Sequence, residues 1–261
     1  MVELKIENVS FYYKESTDSI VENCSISFNQ GSIIGLVGQN GSGKSTFLKL
    51  LAGILRTKMG TIDIENTRIN NIRSSKKYIT LIPENAKLFL IGTTVLGEFV
   101  NYFNSREEII NVLNDFSLEK LLDKKIYELS EGQRRLVAIV SAFQQNKDIF
   151  LLDEPTIGLD SFGRKILNEL LQSAKKEGKI VIVATNDNRI LPDVDRIIGL
   201  KNGKFVIDGS PEDVLLQLEE KLEVFPNQIS RLVTNLQKQN RLIPNITKVQ
   251  ELNDYLKSME K

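Results

Sequence analysis

The sequence predicts an α/β fold. It has a mainly parallel sheet at its core, an antiparallel β segment before it, an inserted helical segment and a helical tail. Three observations carry this expectation. Short apolar runs at residues 32–37, 149–152 and 179–184 suit strands covered on both faces. A stretch of helical spacing, 164–176, lies between the last two runs and makes a strand, crossover helix, parallel strand unit. Strand character stops at Ile207, and only helical spacing follows.

Residues 4–13 alternate through Leu4, Ile6, Val9 and Phe11, which predicts a half-exposed strand with one irregularity near Asn8. Residues 20–28 repeat the pattern through Ile20, Ile26 and Phe28. The run 32–37 then ends in a glycine-rich loop. Phe47, Leu48, Leu51 and Leu55 give helical spacing over 46–55. Residues 61–64 and 78–82 read as further strands. From 93 to 129 the helical period dominates, through Val95, Leu96, Phe99, Ile109, Val112, Leu113 and Phe116. Residues 134–145 read as a helix opened by a Ser130–Gln133 capping box. Residues 195–200 and 204–207 form a closing hairpin around Lys201, Asn202 and Gly203. Ser210, Pro211, Glu212 and Asp213 start a helix: cap, first-turn proline and two acids agree. Two amphipathic helices follow, on Ile229, Leu232, Val233 and Leu236, then on Val249, Leu252 and Leu256. We therefore expect one unit over 1–209, with its helical subdomain at about 85–145, and a helical extension over 210–261.

Composition narrows the function. The 261 residues are 41% hydrophobic and 26% charged, enough for a sizeable core. Lys+Arg and Asp+Glu are both 34, whereas a general nucleic-acid binder would be basic, so no nucleic-acid partner is expected. The single cysteine, Cys24, excludes an internal disulfide framework. Histidine is absent, which removes the commonest general base and metal ligand. No apolar run approaches a membrane span of about 18 residues, and the N-terminus lacks secretory-signal features.

Residues 38–45, Gly-Gln-Asn-Gly-Ser-Gly-Lys-Ser, fit the P-loop pattern G-x-x-x-x-G-K-[ST] between a strand and a helix. This predicts a P-loop NTPase. Glycines let the backbone curl so that N–H groups point at phosphate oxygens, and the helix N-terminus favours the anion. Gly38, Asn40, Gly41, Ser42, Gly43, Lys44, Ser45 and Thr46 are the expected nucleotide contacts. Lys44 would bridge the β- and γ-phosphates and Ser45 would offer a hydroxyl to Mg²⁺. The strand 149–152 delivers Asp153 and Glu154 at its C-terminal end, where open α/β sheets place ligands. Asp153 would hold Mg²⁺, and Glu154 would orient or deprotonate the attacking water.

Residues 129–133, Leu-Ser-Glu-Gly-Gln, precede Asp153 by about 20 positions, and Pro155-Thr-Ile-Gly-Leu-Asp160 follows the acids. With the P-loop and the acidic strand, in this order, the chain resembles the ATP-binding subunit of ABC transporters over about residues 2–209. The resemblance implies two cassettes packed head to tail, each ATP clamped between one P-loop and the other cassette's signature. Ser130, Gly132 and Gln133 would then touch the partner's ATP, Asp160 would communicate across the dimer and Tyr13 would stack on adenine. An ordinary strand aromatic is the other reading of Tyr13. Residues 158–164, Gly-Leu-Asp-Ser-Phe-Gly-Arg, and the tail resemble energy-coupling-factor (ECF) and cobalt-uptake ATPases. Its marks are Pro226, the Leu242-Ile243-Pro244 element and residues 246–252. That implies a tail that helps two ATPase subunits associate; the alternative is that its helices cap the chain's own core.

The sequence departs from the family at three places. Asn186 stands where the family has a histidine that bonds the γ-phosphate, and asparagine cannot take up a proton. Glu84 replaces a loop glutamine that senses Mg²⁺ and water. Glu131 replaces a signature glycine and would repel the partner's triphosphate unless it points away. The site on this P-loop is therefore expected to bind MgATP and hydrolyse it slowly. The resemblance implies a motor subunit, bound to a transmembrane component at the cytoplasmic face of a membrane, that powers ECF-type vitamin or metal-ion uptake. An exporter subunit and a soluble ABC ATPase of translation or repair are the other readings. Residues 87–91 are apolar enough either to dock on the membrane partner or to be core.

Overall fold

The computed structural model describes residues 2–14, 19–239 and 243–259. The chain opens with β1 (Glu3–Phe11) and β2 (Val21–Asn29), an antiparallel pair. Leu4, Ile6, Val9 and Phe11 are buried as the alternation requires. Asn8 has φ 49°, and the register slips between Ile6 and Val9, so the expected irregularity is a bulge. In β2 the expected buried set is only partly realised: Val21, Cys24 and Phe28 are buried, Ile26 only in part. A second left-handed residue, Asn23 at φ 48°, shifts which side chains face inward.

The next elements are β3 (Ser32–Val37), α1 (Lys44–Leu51), β4 (Met59–Ile64), β5 (Thr67–Arg68), α2 (Ile72–Ser75) and β6 (Ile79–Ile82). The helix expected over 46–55 begins earlier, inside the P-loop pattern, and ends at Leu51. At two residues, β5 is too short to leave a periodic signal. The helical stretch 93–129 divides into α3 (Val95–Phe99) and α4 (Arg106–Asp115). Thr94 and Ser105 each accept a hydrogen bond from the first turn of the helix they open, so the chain restarts a helix at each cap.

Then come α5 (Glu131–Phe143), β7 (Ile149–Asp153), α6 (Ser161–Lys176), β8 (Ile180–Ala184) and the antiparallel hairpin β9 (Arg196–Lys201) with β10 (Lys204–Gly209). The tail holds α7 (Pro211–Val214), α8 (Leu218–Leu222), α9 (Gln228–Lys238) and α10 (Val249–Met259). Ser210 caps α7 as expected, accepting from the Asp213 N–H. Of the Leu-Ile-Pro element, Leu242 lies outside the described residues.

The strands form two sheets. The smaller runs β2-β1-β4-β5, and the larger β10-β9-β3-β8-β7-β6 with parallel pairing from β9 to β6. Helix α1 is wedged between them. Its Phe47, Leu48, Leu50 and Leu51 are fully buried among Leu4, Ile6, Ile62 and Ile64 on one side and Ile34, Leu36, Leu151 and Ile182 on the other. The opposite face of the large sheet, through Ile33, Val37, Phe150, Leu152, Val181 and Val183, packs on α5 and α6. Both faces are covered, which explains why these strands read as continuous apolar runs. Leu218, Leu222 and Val224 of the tail join this second core.

This packing gathers the C-terminal ends of β3, β6, β7 and β8 along one rim of the sheet. Phe47 is 0% exposed and meets Phe205 edge-on at 5.3 Å, so it ties α1 to the hairpin. Phe47→Ala should cost about 3–5 kcal/mol of unfolding free energy. Urea denaturation would show this as a lower midpoint at unchanged slope.

Candidate active site

The rim carries a cleft of about 690 Å³ lined by Tyr13, Gln39–Gly41, Gly43–Thr46, Glu84, Glu154, Ile157 and Asn186. The loop that follows β3 builds its floor. Gly43 sits at φ 108°, and a Cβ there would lie 2.5 Å from the Ile20 carbonyl oxygen, so only glycine fits directly before α1. The first turn of α1 leaves its N–H groups without intrahelical acceptors, facing the cleft end of the helix.

Lys44 is buried, with Nζ 2.6 Å from the Gly38 carbonyl oxygen and 3.3 Å from that of Gln39. Burial pushes its ammonium pKa down, against the raising effect of Glu154, Asp153 and Glu84. The Ser45 hydroxyl donates to Asp153 Oδ1 at 3.0 Å. Ser42 Oγ is buried without a hydrogen-bond partner. An orphaned hydroxyl inside the loop, beside a caged ammonium, is a donor set suited to a polyanion.

Asp153 ends β7 and Glu154 follows it with φ 47°, a left-handed backbone that precedes Pro155. Burial raises the pKa of both carboxyls; the Ser45 hydroxyl opposes this at Asp153 and the Thr185 hydroxyl at Glu154. Glu154 Oε2 accepts from Thr185 Oγ1 at 3.0 Å and from the Asn186 backbone N–H at 3.4 Å. Across the cleft the Asn186 amide donates to Asn40 Oδ1 at 3.2 Å, while Asn186 Oδ1 is buried without a partner. Tyr13 is 42% exposed at the cleft mouth, its hydroxyl 3.4 Å from Thr46 Oγ1 and its ring edge-on to Phe11.

The structure does not bring Ser130, Gly132, Gln133 and Asp160 to this cleft. They line a second hollow with Leu118, Leu136 and Phe162. The capping box is present in full: Ser130 Oγ accepts from the Gln133 N–H at 3.2 Å, and Gln133 Oε1 accepts from the Ser130 N–H at 3.1 Å. A Cβ on Gly132 would come within 2.4 Å of the Gly158 carbonyl oxygen, so the turn packs directly on the segment that follows the acids. Asp160 caps α6, its Oδ1 accepting from the Gly163 N–H at 2.7 Å. Glu131 lines a third hollow with Glu84, Arg134 and Arg135. Of residues 87–91, Leu88 and Ile91 are 76% and 90% exposed, while Phe89 and Leu90 are partly buried against the core.

Two residues at the site were not singled out from the sequence. Thr185, fully buried directly after β8, supports the Glu154 carboxylate. Arg135, 2% exposed, donates from Nη1 to the Glu154 carbonyl oxygen at 2.8 Å and from Nη2 to the Glu84 carbonyl oxygen. An arginine next to Arg134 in a helix reads as solvated, and only the fold reveals its burial.

The sequence profile of the ABC transporter family matches residues 21–157. The energy-coupling factor transporter ATP-binding protein EcfA1 of Ligilactobacillus salivarius is 32% identical, with 88% of each chain covered. The structure of cbiO1 from Clostridium perfringens, described as part of the ABC transporter complex cbiONQ, aligns with TM-score 0.69 at 28% identity. That alignment covers 88% of this chain and 98% of the other. A dimeric post-hydrolysis ATP-binding cassette, MJ0796, bound to ADP and Pi, aligns with TM-score 0.70 at 28% identity, over 80% and 98%. Profile, relatives and the order of the site's motifs agree: the chain belongs to the ATP-binding subunits of ABC transporters, with the ECF-type ATPases among its relatives.

Proposed function

We propose that this ABC ATPase is the A component of an ECF-type importer, with residues 1–209 as its ATP-binding unit and 210–261 as an extension that helps a second cassette associate. The observation that carries the reading is the separation of two hollows. In this reading the P-loop cleft would grip and cleave a triphosphate, while Ser130, Gly132 and Gln133, which line a different hollow, would serve the partner's nucleotide. A chain that splits these groups needs a second cassette, paralogue or self, to complete each site. Among the described residues no helix is long and apolar enough to cross a membrane. The similar cbiO1 is described as part of an ABC transporter complex, which supports a separate transmembrane component that carries the substrate. We place the chain on the cytoplasmic face of that partner's membrane, where ATP is supplied.

In this reading Gly38, Gly41, Gly43 and the first turn of α1 hold phosphate oxygens by backbone N–H groups, with Asn40, Ser42 and Thr46 beside them. Lys44 leaves its carbonyl cage for the β- and γ-phosphates, and Tyr13 covers the base. Glu84, Asp153 and Glu154 outnumber Lys44, so the cleft accepts a triphosphate only with further positive charge. The Ser45 hydroxyl lies 3.0 Å from Asp153 Oδ1, with Glu84 near enough to act on that carboxyl, a set of hard oxygens that suits Mg²⁺ shared with the nucleotide. Ser45, Asp153 and Glu84 would hold it, and it would neutralise charge on the β- and γ-phosphates. Glu154 takes the proton of the attacking water, its raised pKa bringing it closer to neutral pH. Asn186 can offer the γ-phosphate a hydrogen bond but no proton relay, and its amide is held by Asn40, so this site turns over slowly.

Glu154→Gln in the assembled complex, with hydrolysis at any paralogous cassette disabled, should lower the rate at least about 100-fold while MgATP still binds; an undiminished rate would contradict the assignment. Asn186→His should raise kcat, and an unchanged or lower rate would show that Asn186 is not limiting. Stability gives an independent check. A carboxyl with a raised folded-state pKa opposes folding once ionised, so stability falls as pH rises above the ordinary glutamate value of 4.5. Nucleotide-free Glu154→Gln should therefore melt higher than the parent at neutral pH, with the gap closing as pH falls toward 4.5.

A further inference from the structure

We propose that Arg135 is a positioning residue: by gripping the backbone at Glu154 it holds the catalytic carboxylate where the water must lie. This rests on the reading of Glu154 as the base, and it concerns how that base is kept in place.

The geometry around Glu154 makes the case. Its backbone is left-handed at φ 47° and precedes a proline, a combination that side-chain-bearing residues avoid. Such a conformation persists only where neighbours over-determine it. On one side the Glu154 N–H donates to the Ala184 carbonyl oxygen at 2.8 Å. On the other side the Glu154 carbonyl oxygen receives Arg135 Nη1–H at 2.8 Å, together with a long bond from the Ile157 N–H at 3.4 Å. The guanidinium is therefore the stronger restraint on the peptide that leads into Pro155. Without it, the strained residue has a route to relax, and its side chain would swing away from the Thr185 hydroxyl.

The second arm of the fork keeps Arg135 from following such a movement. Nη2 donates to the carbonyl oxygen of Glu84, at the end of the neighbouring strand β6. One planar cation thus spans the ends of β6 and β7 and braces two residues whose side chains both line the cleft. A lysine could not reproduce this, because the fork fixes two donors in one plane.

The cost of the arrangement argues against a role in stability alone. Arg135 is 2% exposed, no carboxylate lies within ion-pairing distance among the described residues, and its Nε has no acceptor. Its burial is offset in part by the nearby carboxylates of Glu131, Glu84, Glu154 and Asp153, none of them close enough to pair with it, so a guanidinium bonded to two carbonyls is an expensive way to fill space.

The test is steady-state hydrolysis and MgATP binding by the full-length chain in its assembled complex, with hydrolysis at any paralogous cassette disabled, for Arg135→Gln, Arg135→Lys, Glu154→Gln and the Arg135→Gln/Glu154→Gln pair. We expect Arg135→Gln to bind MgATP within about 3-fold of the parent and to lose about 10- to 100-fold in kcat. Arg135→Lys should recover part of that loss. Adding Arg135→Gln to Glu154→Gln should lower the residual rate no further, because the arginine acts through the glutamate. An unchanged kcat, a loss confined to nucleotide affinity, or a full further loss in the double variant would overturn the proposal. If Arg135→Gln does not fold, Arg135→Lys is read in the same way; failure of both to fold would also overturn it, by showing a structural role. Retained activity in Glu154→Gln alone would instead refute the underlying assignment of the base.

Discussion

The constraint on which the site depends is the wedging of α1 between two sheets. Phe47, Leu48, Leu50 and Leu51 are shared by both sheets, so the helix has no freedom to slide or tilt. Its first residue is Lys44, which means that packing several residues away fixes where the ammonium and the Ser45 hydroxyl lie. The parallel register of β3, β8 and β7 then sets the opposite wall. Leu36 pairs with Ala184, and Asp153 with the same residue, so the P-loop, the two acids and Thr185–Asn186 leave the sheet at one level. Convergence of these groups follows from core packing and strand register together.

Electrostatics explains why such a cleft stays poised. Two carboxyls with raised pKa values face one ammonium with a lowered one, and burial is the leading cause in all three cases. Burial of these three charges is therefore costly, and a ligand that brings both negative phosphate and positive metal would relieve each group at once. The strain at Glu154, the orphaned hydroxyl of Ser42 and the unpartnered Asn186 oxygen belong to the same pattern. Departures from locally favourable structure collect where function requires them.

Much of this was legible in the sequence because the signals are physical ones. The two-sided strands announced themselves as unbroken apolar runs, and the glycine-rich loop stood between the strand and helix that its chemistry needs. Ser130 and Ser210 carry cap signatures in the sequence, and their side chains accept the expected bonds. What escaped depends on contacts distant in sequence. Arg135 lies 51 positions from one of its acceptors and 19 from the other, and nothing in α5 foretells either. Asn23 and β5 escaped for a different reason: a bulge changes the period, and two residues are too few to show one. The separation of the signature hollow from the P-loop cleft is likewise a property of the folded chain, visible only once β7 and α6 are in place.

The most direct test of the central claim, that the rim cleft grips a triphosphate through the end of α1, is equilibrium binding of MgATP to the parent chain and to Lys44→Ala. A charge-assisted contact of about 1.5–3 kcal/mol predicts affinity weaker by about 10- to 100-fold in the variant, with its thermal unfolding otherwise intact. Equal affinity in the two proteins would contradict the account.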